Sequence, residues 1–258
     1  MTKLVLALDI GNTNVHTGLV DCDTLECLNV DIFPNSLLKQ RLCASLASRV
    51  PHGVAPGALP LVICSVVNVD RAEVSAALAT SGLALPRWFE YSPAFPVSVA
   101  YSDPHTLGVD RLADCLYSQA AYPGQSRIII DAGTATKVDF FAKGNKFAGG
   151  VILPGIATQL KSLHDHTSAL PLLAPNEATI EFPGTSTNSA MTTGVTYGTA
   201  GALSFFVDRY RRKYGNAPVL ATGGAWKRVE SLVTFEFEYI KNMTLVGTGL
   251  FGKIVLPR

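Results

Sequence analysis

The sequence predicts an α/β protein organised as two similar domains, and three observations lead there. Short apolar strands alternate with segments of helical periodicity along the chain. The stretch "LALDIGNTNVHTG" at 6–18 runs an apolar strand into an Asp, a Gly and small polar residues. "RIIIDAGTATKVDFF" at 127–141 does the same, its Asp131 standing 122 positions after Asp9 (131 minus 9), about one domain length. At 258 residues, 48% of them hydrophobic, the chain can build two ordinary cores.

Taken in order, residues 3–9 read as a buried strand. "VHTGLVD" (15–21) and "LECLNVDIF" (25–33) continue it as a meander joined at "CDT". "NSLLKQRLCASLASRV" (35–50) has helical periodicity, with Asn35 or Ser36 as N-cap. "LPLVICSVV" (59–67) is a second buried strand, and "VDRAEVSAALATSG" (69–82) a helix ending at Gly82. "TLGVDRLADCLYSQAAYPG" (106–124) is a helix closed by Pro123-Gly124. The opening theme then returns, with a hairpin turning at Gly144-Asn145. The domains are expected at 1–118 and 119–258, joined near 117–126.

The placement of the two carboxylates asks for an explanation. In α/β sheets ligands bind at the carboxyl ends of strands, where Asp9 and Asp131 stand. Gly11 and Gly133 let backbone approach a ligand closely, while Asn12, Thr13 and Asn14 supply donors for phosphate oxygens. A carboxylate beside phosphate makes sense once a hydrated Mg²⁺ lies between them. An ordinary β-turn would account for one such loop, but two of them, each after an apolar strand, favour phosphate binding. The chain has no GxxxxGK[ST] loop, and no GxGxxG follows a strand. A third glycine turn, "ATGGAWKRV" (221–229), suits either an adenine pocket or a plain strand-to-helix connection.

"DIGNTN" (9–14), "GVDR" (108–111), "DAGTAT" (131–136) and "GGVILPG" (149–155), with "TSALP" (167–171) and "TGG" (222–224), occur in one order across nearly the whole chain. Together they resemble the type III pantothenate kinases, members of the actin-like, sugar-kinase and Hsp70 ATPase superfamily. The resemblance implies two ribonuclease H-like domains with an actin-like ATPase cleft between them. It implies transfer of the γ-phosphoryl of ATP to pantothenate, the first step of coenzyme A synthesis. It also implies Mg²⁺ with ATP, a monovalent cation (K⁺ or NH₄⁺), a homodimer and a cytoplasmic location.

Carried over by position, Asp9, Ile10, Gly11, Asn12, Thr13, Asn14, Val15 and His16 form the first ATP-binding loop, with Asp9 holding Mg²⁺ through water. Gly108, Val109, Asp110 and Arg111 match the pantothenate motif, with Asp110 as catalytic base. Tyr101 and Thr187 fall at substrate-contacting positions, although Ser186 stands where relatives commonly have Asn. Thr134 is the second phosphate contact and Asp131 the monovalent-cation ligand. The adenine pocket stays unassigned. The chemistry of Asp110 also stands on its own: phosphoryl transfer needs positioning, charge stabilisation and one carboxylate to accept the alcohol's proton. Arg111 beside it would keep that carboxylate ionised or orient it, and would suit an anionic substrate. Capping of the helix that starts near 109 is the competing reading of this pair.

Composition narrows the remaining classes. A net charge of +1 and a single basic cluster, "RYRRKYG" (209–215), argue against a nucleic-acid partner. No apolar run reaches the roughly 20 residues a bilayer needs, and the N-terminus lacks the order of a secretory signal. Five cysteines without a CxxC pair read as reduced, mostly buried thiols, so the sequon at Asn242 carries no meaning. "HDH" (164–166) lacks a third metal ligand, and Cys115 with His105 reads as core packing rather than a nucleophile and base. Two alternatives to the kinase remain: a nucleotide-responsive regulator of transcription on the same fold, and a sugar kinase or polyphosphate phosphatase of the superfamily.

Overall fold

The computed structural model describes residues 4–255, which form two compact units. The chain opens with β1 (Leu4–Ile10), β2 (Asn14–Asp21), β3 (Glu26–Pro34), α1 (Leu38–Ala47) and β4 (Leu61–Ser65). Next come α2 (Arg71–Thr80), β5 (Arg87–Trp88), β6 (Ser98–Val99) and α3 (Val109–Ala121). A second round begins with β7 (Arg127–Ala132), β8 (Ala135–Ala142), β9 (Lys146–Pro154) and α4 (Ile156–Asp165). It continues through α5 (Thr187–Tyr214), β10 (Val219–Thr222), β11 (Phe237–Tyr239) and α6 (Met243–Val255).

The strand plan is the same in both rounds. The first sheet runs β3-β2-β1-β4-β5, and the second contains β9-β8-β7-β10-β11 in the corresponding order. β1 is antiparallel to β2 and parallel to β4, as β7 is antiparallel to β8 and parallel to β10. A hairpin needs only a tight turn, whereas the parallel strand must arrive by a helical crossover. The repetition expected from the two Asp-x-Gly turns is therefore a repetition of topology. Gly144 and Asn145 both have positive φ, the geometry a two-residue hairpin turn requires. The first core gathers Leu6, Leu8, Ile10, Phe33, Leu46 and Ile63; the second gathers Ile128, Ile130, Phe140, Leu160, Leu203 and Trp226.

Two local features differ from expectation. Asn35 and Ser36 do not cap α1; a single 3₁₀ turn, Asn35–Leu37, precedes it, and Asn35 is engaged elsewhere. By contrast Asp70 caps α2 as its chemistry allows, accepting from the backbone N–H groups of Ala72 and Glu73. The second difference concerns the C-terminal helix. The first unit holds the chain as far as Gln125, the segment Lys143–Phe147 and the chain from Asn242; the second holds Ser126–Ala142 and Ala148–Lys241. α6 therefore belongs with the first unit, although its sequence position suggested the second domain. Its glycines explain the fit: Gly247 lies against the Ala113 backbone of α3, Gly249 against Val20, and Gly252 against Val62 and Val5. The G-x-G-x-x-G string at 247–252 is thus a packing seam inside a helix and not a phosphate turn.

Candidate active site

β1 delivers Asp9 to the carboxyl end of the first sheet, directly opposite His16 of β2. His16 Nδ1 lies 3.5 Å from Asp9 Oδ2. The chain reverses over Gly11–Thr13, closed by the Gly11 N–H on the Asn14 carbonyl at 3.0 Å. A Cβ on Gly11 would press on that same carbonyl oxygen, so the turn favours glycine. Asn12, Thr13 and Asn14 are exposed, while the Ile10 and Val15 side chains are buried in the core. Of those two residues only backbone remains for a ligand. Asn35 fastens the loop from outside: its backbone N–H donates to the Thr13 carbonyl (2.8 Å) and its side-chain amide to the Gly11 carbonyl (2.9 Å).

The "GVDR" residues form the start of α3. Gly108 is the N-cap, and a Cβ there would stand 2.6 Å from Asp110 Oδ1, so its absence leaves room for the carboxylate. Asp110 Oδ1 accepts the Arg111 backbone N–H at 2.8 Å. The Arg111 side chain is only 4% exposed and turns to aromatic partners. Its Nη1 donates to the Tyr101 hydroxyl (3.0 Å), and its guanidinium lies 5.0 Å from the Phe147 ring centroid. Tyr101 and Phe147 meet edge to face with centroids 5.5 Å apart. Burying a guanidinium requires such donors and π faces around it.

Asp9 and Asp110, distant in sequence, lie in one unit, and the charges of both act on Cys64 of β4. Cys64 is the register neighbour of Asp9. Burial above all, and then the charges of Asp9, Asp110 and Asp114, push the Cys64 thiol well above its ordinary range. The thiol therefore stays protonated. Asp114, itself buried, accepts the Thr244 hydroxyl of α6 at 2.8 Å.

The second unit repeats the turn with different side chains. Asp131 ends the polar face of β7 opposite Lys137 of β8, and the Lys137 ammonium lies 2.5 Å from Asp131 Oδ2. Gly133 and exposed Thr134 make the reversal, whose Thr134 carbonyl accepts from the Gly155 N–H (2.9 Å) and the Thr158 hydroxyl (2.7 Å). The glycines of "GGVILPG" and "TGG" serve this turn. A Cβ on Gly155 would collide with the Gly133 carbonyl, and one on Gly223 with the Ala132 carbonyl. Thr187 is exposed in the first turn of α5, where Ser186 and Ser189 form a reciprocal capping box. That assigns Ser186 a role: it is the N-cap of this helix.

Sequence reading missed Asn35, Lys137 and Phe147. The Asn35 clamp left no local signal, since it joins positions 24 apart; Lys137 was legible as the cross-strand partner of Asp131 once the hairpin register was drawn. The features set aside remain outside the site. His164 Nδ1 meets the Leu170 carbonyl at 2.8 Å at the end of α4, Cys115 is buried, and Arg212 pairs with Asp208 on α5. Among the described residues no cluster of three His, Cys, Asp or Glu could hold a metal, and no helix is long and apolar enough to cross a membrane.

The family model described as type III pantothenate kinase matches residues 5–209. The chain belongs to this family. Among its relatives, a type III pantothenate kinase from Dehalococcoides mccartyi is 32% identical over 233 residues, covering 86% of this chain and 85% of that one. Among solved structures, a Baf family protein from Campylobacter jejuni is similar at a TM-score of 0.59 with 21% identity, covering 97% and 98% of the two chains. A ROK family glucokinase from Streptomyces griseus is similar at 0.51 with 12% identity, covering 97% and 99%. Both likenesses are of fold, and the fold is the two-domain α/β architecture of actin-like ATPases and sugar kinases. All four ordered motifs of this type III pantothenate kinase family member lie inside the matched span.

Proposed function

We propose that this chain phosphorylates the primary hydroxyl of pantothenate with ATP, the first step of coenzyme A synthesis. The reading rests on one observation: Asp9 and Asp110, the carboxylates of two separate motifs, belong to one compact unit and both bear electrostatically on Cys64, within the span matched by the family. One carboxylate suits a nucleotide-bound metal, and the other suits a proton acceptor.

The residues divide the work by chemistry. Asn12, Thr13 and Asn14 offer exposed donors to the phosphates on a loop that Asn35 keeps in shape. Asp9 fits Mg²⁺, which keeps most of its waters and asks the protein for one or two carboxylates. When bound, that ion neutralises charge building on the transferring phosphoryl group. Asp110 accepts the hydroxyl proton as the oxygen bonds to phosphorus, and the Arg111 N–H holds the carboxylate in position. Tyr101 offers a hydroxyl suited to the polar acceptor, and the buried Arg111 guanidinium holds that hydroxyl in place while adding positive charge that suits an anion. Val109 lies in the same first turn; in the second unit Thr134 and Thr187 carry exposed hydroxyls, to which the resemblance gives phosphate and substrate contacts. A homodimer and a cytoplasmic location, carried by the resemblance, are part of this proposal. The resemblance also carries K⁺ or NH₄⁺ at Asp131, and there the residues do not fit: the carboxylate already holds the Lys137 ammonium.

The test is ADP release by the purified protein with Mg²⁺, with and without pantothenate, for the wild type and Asp110→Asn. Pantothenate-dependent release that falls by about 10²–10⁴ in the variant, with ATP binding kept, is the expected result. Wild-type turnover in Asp110→Asn removes that residue from the base role. Release indifferent to pantothenate points to another acceptor. ATP binding without any turnover favours the regulator.

A further inference from the structure

We infer that Lys137 is a built-in monovalent cation: its ammonium takes the place at Asp131 that a K⁺ ion would fill, so this chain works without added K⁺ or NH₄⁺. The inference rests on the kinase reading above and concerns the regulation of that same site.

Four observations carry it. Asp131 and Lys137 are direct register partners in an antiparallel hairpin, so their side chains stand opposite one another on the same face. The ammonium lies 2.5 Å from the carboxylate oxygen. Both side chains are largely sequestered, at 12% and 14% exposure, where a charge left without its partner is costly. Finally, Thr222, the neighbour of Asp131 on the β10 side, directs its hydroxyl to the Ile240 carbonyl at 2.8 Å.

The duplicated topology supplies an internal control. Asp9 occupies the corresponding place in the first unit, and the residue opposite it is His16, 3.5 Å away. The residue opposite Asp9 carries an imidazole and no ammonium, so the carboxylate there is left for a metal. Lysine carries a compact ammonium, chemically an alkylated ammonium ion, which makes it the side chain closest in kind to NH₄⁺ or K⁺. Charge at Asp131 would otherwise oppose a polyphosphate approaching the Gly133–Thr134 turn. Lys137 cancels it from within the fold, as a positioning residue acting through Asp131.

The experiment compares wild type, Lys137→Met and Lys137→Arg at constant ionic strength in NaCl, KCl or NH₄Cl. Pantothenate-dependent ADP release should be equal within twofold in all three salts for the wild type and for Lys137→Arg. Lys137→Met, which keeps the aliphatic stem without the charge, should lose about tenfold or more in NaCl and recover in KCl or NH₄Cl. A second readout needs no turnover: Tl⁺, a K⁺ mimic, should raise the melting temperature of Lys137→Met over Na⁺ and leave the wild type unchanged. A wild type that requires K⁺ or is stabilised by Tl⁺ overturns the inference. So does a Lys137→Met protein that no cation restores in rate or stabilises. If the wild type ignores pantothenate in every salt, the kinase reading fails alone, and the Tl⁺ measurement still decides Lys137.

Discussion

Replacing Gly247 by alanine tests whether α6 holds the active-site helix in place. A Cβ at Gly247 would lie 1.9 Å from the Ala113 carbonyl oxygen and 2.4 Å from its carbon, where real Cβ contacts keep at least 3.0 Å. The obstacle is backbone inside α3, so no side chain can swing aside and the two helices must part by about 1 Å. Overpacking of this kind costs about 1–3 kcal/mol, and the upper end applies where backbone must move. Separation also strains the Thr244–Asp114 hydrogen bond, worth about 1.5–3 kcal/mol because one partner is charged. Alanine's better helix propensity returns about 1 kcal/mol. The net expectation is a loss of about 3 kcal/mol, read as a lower urea midpoint. Because Asp110 and Arg111 ride on the first turn of α3, kcat for pantothenate-dependent ADP release should fall with it. A midpoint equal to wild type with unchanged kcat would refute both the close packing and its link to the site.

Three further outcomes follow from the same structure. Asp9→Asn should raise the Mg²⁺ needed for half-maximal rate about tenfold, the scale of one lost charged contact; an unchanged Mg²⁺ titration would take the metal away from Asp9. Gly198 on α5 faces open space, so Gly198→Ala should raise the melting temperature through a helix gain of up to about 1 kcal/mol. A fall would mean that another copy of the chain covers that face in solution. Burial raises the Cys22 thiol to about 11 and the Cys27 thiol to about 12, with Cys64 also well above its ordinary value. The unfolded thiols ionise near 9, so the folded state keeps its protons longer: this stability is complete below pH 9 and declines as pH rises toward 11, by at most about 1.4 kcal/mol per thiol per pH unit. Urea midpoints that stay level from pH 8 to 10.5 would contradict it.

The legible parts of the site were those written in consecutive residues. "DIGNTN", "GVDR" and "DAGTAT" each lie within a single strand end, turn or first helical turn, so backbone geometry follows from glycine, small polar residues and flanking apolar runs. The Arg111 environment was not legible, because its partners Tyr101 and Phe147 come from a loop and from the start of β9. Nor was the helix cap expected at Asn35. A side chain able to cap a helix can equally bond a nearby loop, and here the Gly11 and Thr13 carbonyls won.

By itself the sequence determined the alternation of strand and helix, the two Asp-x-Gly turns and the order of motifs that marks the family, since all of these depend on local propensity and periodicity. Only the tertiary structure decided that α6 joins the first unit, that the charges of Asp9 and Asp110 both act on Cys64, and that Asp131 and Asp9 meet different partners. Those outcomes depend on strand register and on glycines that let backbones touch. Both are set by which surfaces pack together, a matter of distance in space that distance along the chain does not encode.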